Sequence, residues 1–102
     1  MNYARSGHAS CTLGLSVFVF CGIHEYSLST NTVERLQPFS LDPSKSKRWE
    51  LIHVSDTEMS PRYWPVAQAL NSSEIVIMGG KNDADKSLGT VIIFDTKTDT
   101  FK

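Results

Sequence analysis

Three histidines, two cysteines and one short acidic run are the residues of this 102-residue sequence best suited to hold a metal or pass a proton. His8, His24 and His53 share no ligand spacing with one another, with Cys11 or with Cys21, whereas zinc sites draw their ligands from short recurring intervals. Asn82-Asp83-Ala84-Asp85 has the acidic character of a calcium loop but lacks the central glycine and distal glutamate such a loop needs. A plain acidic turn is the better reading. Serines are plentiful, yet none stands in a Gly-x-Ser-x-Gly elbow. Gly79-Gly80 is followed by neither a helical pattern nor a Lys-Ser pair, which removes a phosphate loop. The expectation is a chain with no catalytic residue, no metal and no cofactor.

The polar-aromatic clusters point instead to recognition. Arg62-Tyr63-Trp64 joins an arginine to two aromatics, the types that dominate binding energy at protein interfaces. Trp64 has a competing role as packing between sheets, and that reading is preferred. His24, Glu25 and Tyr26 form a second polar-aromatic group, to be weighed against a simple loop.

Composition narrows the partners. The chain is 40% hydrophobic and 21% charged with a net charge of -1, which excludes the basic stripe of a nucleic-acid binder. No apolar run approaches the roughly 18 residues that span a membrane. Arg5 followed by Leu13 to Gly22 has some features of a secretion signal, but His8, Ser10 and Thr12 interrupt it and the segment has an internal twin at 66–80. The sequon Asn71-Ser72-Ser73 therefore reads as turn chemistry. A tight turn at Leu13 to Ser16 sets Cys11 opposite Phe18 and Cys21 opposite His8, so a bridge between the thiols would be strained. Reduced thiols in a cytoplasmic protein are expected.

The elements that must position these residues are strands. Glu74-Ile75-Val76-Ile77-Met78-Gly79-Gly80 is too short for an ordinary helix and too continuous for a one-sided strand. It reads as a strand buried on both faces and stopped by glycine. Val17-Phe18-Val19-Phe20-Cys21-Gly22 does the same 58 positions earlier. Around each run the pattern repeats. Arg5 to Leu13 and Tyr63 to Leu70 are first strands, and Gly14-Leu15 and Asn71 to Ser73 are turns. Ile23 to Asn31 and Lys81 to Ser87 are polar loops. Thr32 to Phe39 and Thr90 to Phe94 are third strands, and Trp49 to Val54 is a fourth. Phe101 stands where a second tryptophan is expected, after a linker six residues shorter than the first.

These residues resemble the kelch repeat, one blade of a β-propeller. The resemblance rests on the entry Arg5 and His8 (Arg62 and Pro65 in the second copy), the apolar strand ending in Gly79-Gly80 (Cys21-Gly22 in the first), Phe94-Asp95, and Trp49 with Phe101 in its place later. A period near 50 residues fits, lengthened here by an insertion at 41–48. The resemblance implies an all-β fold of consecutive four-stranded antiparallel meanders. Residues 1–54 form the first blade and 55–102 a second that lacks most of its fourth strand. A propeller closes 4–8 blades into a ring, so further blades are expected in the same chain or in other chains, the first being preferred.

In such a meander the connections sort by end, and the polar loops 23–31, 55–61 and 81–87 share one. The candidate protein-binding residues are His24, Glu25, Tyr26, Asp56, Glu58, Arg62, Tyr63, Lys81, Asp83, Asp85 and Lys86. The resemblance implies a non-enzymatic protein-interaction module, of the kind found in scaffolds, cytoskeletal organisers and ubiquitin-ligase adaptors. It leaves two alternatives, a propeller enzyme of the copper-oxidase or sugar-modifying kind and a purely structural repeat.

Overall fold

Strands form where β-branched and aromatic residues are densest, and they break where the backbone must take left-handed angles. The computed structural model describes residues 4–24, 28–38, 48–52, 54–55 and 58–101. Its strands are β1 (Arg5–Ser6), β2 (Ala9–Leu13), β3 (Ser16–Phe20), β4 (Ile23–His24), β5 (Leu28–Ser29), β6 (Val33–Leu36), β7 (Trp49–Ile52), β8 (Val66–Ala69), β9 (Glu74–Met78), β10 (Val91–Asp95) and β11 (Thr100–Phe101). The described residues contain no helix, and so none long and apolar enough to cross a membrane.

Two four-stranded antiparallel sheets result, ordered β2-β3-β6-β7 and β8-β9-β10-β11. In the first, Cys11 pairs with Phe18 and Leu13 with Ser16 across the two-residue turn Gly14-Leu15, the register the sequence implies. Cys11 and Cys21 are free thiols. In the second, Asn71 shapes the longer turn, its Oδ1 accepting from the backbone N–H of Ser73 and of Glu74 at 2.9 Å each.

The sheets pack face to face. Phe18 and Phe20 of β3 point at Phe94 of β10, with ring centroids 5.9 and 5.7 Å apart in edge-on geometry. Val33 and Ile52 join them from one sheet, and Ile75, Ile77 and Ile92 from the other. Each such side chain stabilises the fold by about 1.5–3 kcal/mol through burial. Phe101 adds to this core, 4.9 Å from Phe94. Trp49 pairs with Leu36 on the opposite face of the first sheet, outside the junction of the two sheets.

Both sheets follow one plan. Cys21 N–H donates to Thr32 O and Gly79 N–H to Thr90 O, each at 3.0 Å. Arg5 Nη1 donates to the carbonyls of Cys21 and Thr32, and Arg62 Nη1 to the carbonyl of Gly79 and the hydroxyl of Thr90. Cys21 and Gly79 share a left-handed conformation, φ 62° and 69°, so the cysteine occupies a glycine's place at some cost in strain. At Gly22 and Gly80 a side chain would be crowded as well as strained. An added Cβ would lie 2.7 Å from Ser6 O and 2.9 Å from Tyr63 O respectively.

Three sequence expectations change. The first strand, expected over Arg5 to Leu13, breaks into β1 and β2 because Gly7 turns to φ 65°. The loop expected at Ile23 to Asn31 contains β4 and β5, which form a small third sheet in which β4 pairs with β1 and β5 with β4. Its counterpart in the second repeat is reduced to the bridges Tyr63–Lys81 and Lys81–Ser87. Third, the Glu74–Met78 strand is buried on one face only. Ile75 and Ile77 are inside, while Met78 is 39% exposed.

A candidate interaction site at the glycine end of the sheets

Arg62, Tyr63 and Trp64 sit where the second repeat enters, beside the glycine turn that ends β9. The structure separates the three. Arg62 is only 1% exposed. Its guanidinium is spent inside, on Gly79 O, Thr90 Oγ1, Ser60 O and Ser60 Oγ. Burial lowers its pKa, against a smaller opposing influence from the Cys21 thiol. Its counterpart Arg5 has a carboxylate as well, with Nη2 2.5 Å from Glu34 Oε2 and both side chains fully buried. Ile92 occupies the glutamate's place in the second repeat. Arg62 thus holds backbone together and is not presented to a partner.

Trp64 is the opposite case. It is 64% exposed in a left-handed conformation, φ 57°, uncommon for a bulky residue. The preferred sequence reading, Trp64 as packing between sheets, is therefore corrected. Its backbone N–H donates to Gly7 O at 2.6 Å, and its indole lies over Gly7, whose Cβ would meet the ring at 3.0 Å. Tyr63 stands edge-on to the indole at 5.1 Å, and Lys81 Nζ lies 5.7 Å from its centroid.

The loop after β9 braces this group. Tyr63 donates its phenol proton to Asp85 Oδ1 at 2.8 Å, and Lys81 Nζ is 3.5 Å from the same carboxylate. The Tyr63 hydrogen bond, followed by the Lys81 charge, holds the Asp85 carboxyl below its ordinary pKa, and the same hydrogen bond raises that of the phenol. Asn82 closes the turn by accepting from the N–H of Ala84 and Lys86, as an acidic turn requires. Asp83 is used differently, since its Oδ1 accepts from Ser29 N–H at 2.9 Å and ties the loops of the two repeats together. The result is an aromatic surface with a cation over it and a carboxylate at its border, held by short bonds.

The other sequence candidates fall elsewhere. Lys86 is exposed beside this group, and Glu58 is engaged in its own turn with Ser55. His24 lies in β4; its side chain, Glu25, Tyr26, Asp56, His53 and most of the 41–48 insertion lie outside the described residues. His8 is exposed, and Asp95 is half-buried at the end of β10. Cys21 is buried, which pushes its thiol up to about 12, against smaller opposing influences from Arg62 and Arg5. It is therefore no nucleophile near neutral pH. No three His, Cys, Asp or Glu residues gather into a metal-like group among the described residues. The residue that sequence reasoning undervalued is Trp64. Its signal was its alignment with Gly7, two residues after each entry arginine.

No family model and no curated protein matches the sequence.

Proposed function

We propose that this chain is a protein-recognition module of the kelch-repeat kind, non-enzymatic, and that it grips its partner through the surface centred on Trp64 with Tyr63, Lys81 and Asp85. Two four-stranded antiparallel sheets on one plan, with polar loops gathered at one end, support that architecture. One observation carries the functional part. Trp64 stands where the other repeat has glycine, in a backbone conformation that costs a non-glycine residue of order 1–3 kcal/mol, and it leaves most of its side chain in water. Folding alone favours glycine there. A large rigid aromatic kept exposed against that preference fits an interface anchor.

Selection of a random-peptide display library against the chain tests this reading. Binders should be lost with Trp64→Gly and weakened at least tenfold with Lys81→Ala, while Leu15→Ala at the opposite end leaves them unchanged. Binders indifferent to Trp64→Gly would overturn it.

A further inference from the structure

Arg62 is buried as a cation with no carboxylate bonded to it among the described residues. Its guanidinium donates to Gly79 O, Thr90 Oγ1, Ser60 O and Ser60 Oγ, all neutral oxygens. Arg5, its twin, holds carbonyls in the same way and has Glu34 besides. In the second repeat the glutamate's place is filled by Ile92, which is 8% exposed. Burial without a countercharge disfavours the charged guanidinium, and it lowers the pKa of Arg62. The second repeat thus keeps the arginine and omits its anion.

Ser60 touches this guanidinium and also reaches water. The residue is exposed, yet its hydroxyl accepts from Arg62 Nη2 and its carbonyl from Arg62 Nε, each at 3.1 Å. Pro61 follows it, which disfavours helical backbone at Ser60, and no other serine or threonine in the chain precedes a proline. Thr90 also meets Arg62 from an exposed position, at 2.6 Å. Its carbonyl, however, is tied to Gly79 N–H at the head of β10. Ser60 lies in the connection between the two sheets, outside every strand, and is the more accessible to an enzyme's cleft.

We propose that Ser60 is a phosphorylation site whose phosphate supplies the countercharge that Arg62 lacks. A protein kinase delivers the group from a nucleoside triphosphate. Ser60 Oγ bonds to the γ-phosphorus, the bond from that phosphorus to the bridging oxygen breaks, and the nucleoside diphosphate leaves. The hydroxyl proton passes to the kinase's base. The product carries about 1.5–2 negative charges and three acceptor oxygens, on the atom that Arg62 Nη2 already touches. Charge-assisted bonds of this kind between arginine and phosphate are among the strong ones. The backbone of Arg62 donates to Thr30 O and accepts from Gly22 N–H, so the added pair tightens the seam between the two repeats. The inference stands apart from the role given to Trp64.

Incubation of the folded chain with a kinase selective for serine before proline, with adenosine triphosphate and magnesium, tests it. Mass spectrometry should find a single phosphate, on Ser60, and none in Ser60→Ala. Phosphorus NMR then reads the second ionisation of that phosphate, ordinarily near a pKa of about 6. In the folded chain it should lie about 1 lower and return to the ordinary value in urea. The Arg62 Nε–H resonance should move through the same titration. Phosphate absent from Ser60, whether on Thr90 or on no residue, overturns the proposal. So does an ionisation identical in the folded chain and in urea, the outcome if the phosphate points into water.

Discussion

The backbone N–H of Trp64 donates to the carbonyl of Gly7 at 2.6 Å, and the two residues are each other's counterparts, each two positions after the arginine that opens its repeat. Both adopt left-handed angles, φ 57° and 65°. The position asks for glycine in both repeats, and only the first supplies it. That contrast separates what the fold requires from what is added on top of it.

The glycine that ends β9 is required by its surroundings. Gly80 has φ 96°, and a Cβ there would lie 2.9 Å from Tyr63 O. Gly80→Ala should cost about 1–3 kcal/mol in urea unfolding. Gly89→Ala, with open space around it, should change stability by no more than about 0.5 kcal/mol.

The aromatic contact between sheets should be costly to remove. Phe94 is fully buried against Phe18, Phe20 and Phe101. Phe94→Ala is expected to lose about 3–5 kcal/mol, which for so small a domain leaves little folded protein by circular dichroism.

The two arginines make a sharper test. Arg5 has Glu34, and breaking a buried pair of this kind costs about 3–5 kcal/mol, so Glu34→Ile should be strongly destabilising. Arg62 has Ile92 in the matching place. Ile92→Glu sets a carboxylate beside a buried cation, whereas Ile77→Glu buries a carboxylate away from that arginine. Ile92→Glu should therefore be better tolerated by about 2 kcal/mol, measured as the difference in unfolding free energy between the two variants.

The tether between Tyr63 and Asp85 has a defined pH window. Asp85 is held below its ordinary value of 3.8, so its contribution is present above that value and is lost as pH falls through the lower one. Tyr63 is raised above its ordinary 10.0, so its contribution is present below that value and is lost as pH rises through the higher one. The tether thus persists across the neutral range. Ultraviolet titration of Tyr63 should show a pKa above 10.0 that moves back toward it in Asp85→Asn.

The strands and their order were legible in the sequence because each sheet is a local meander whose register follows from apolar runs and short turns. Cys11 opposite Phe18 is one such case. Much of the loop ladder was not, because β4 and β5 are two residues each and carry no periodicity. They are fixed by pairing with β1 and with each other, beside a bridge from the neighbouring Thr30 to Arg62. The candidate surface was half legible. Its residue types stood out in Arg62-Tyr63-Trp64, but their burial did not, since Arg62 turns inward to donate to Gly79 O, Ser60 and Thr90, and Trp64 turns outward over Gly7. Only the alignment of Trp64 with a glycine distinguished the exposed aromatic from a packed one.

Urea unfolding of Trp64→Gly beside the wild-type chain decides whether Trp64 serves the fold or the surface. Stability within about 1 kcal/mol of wild type or higher is expected, because relief of backbone strain offsets the lost surface contacts with Tyr63 and Lys81. A loss of about 3 kcal/mol or more, the cost of deleting a packed aromatic, would contradict it and return Trp64 to the service of the fold.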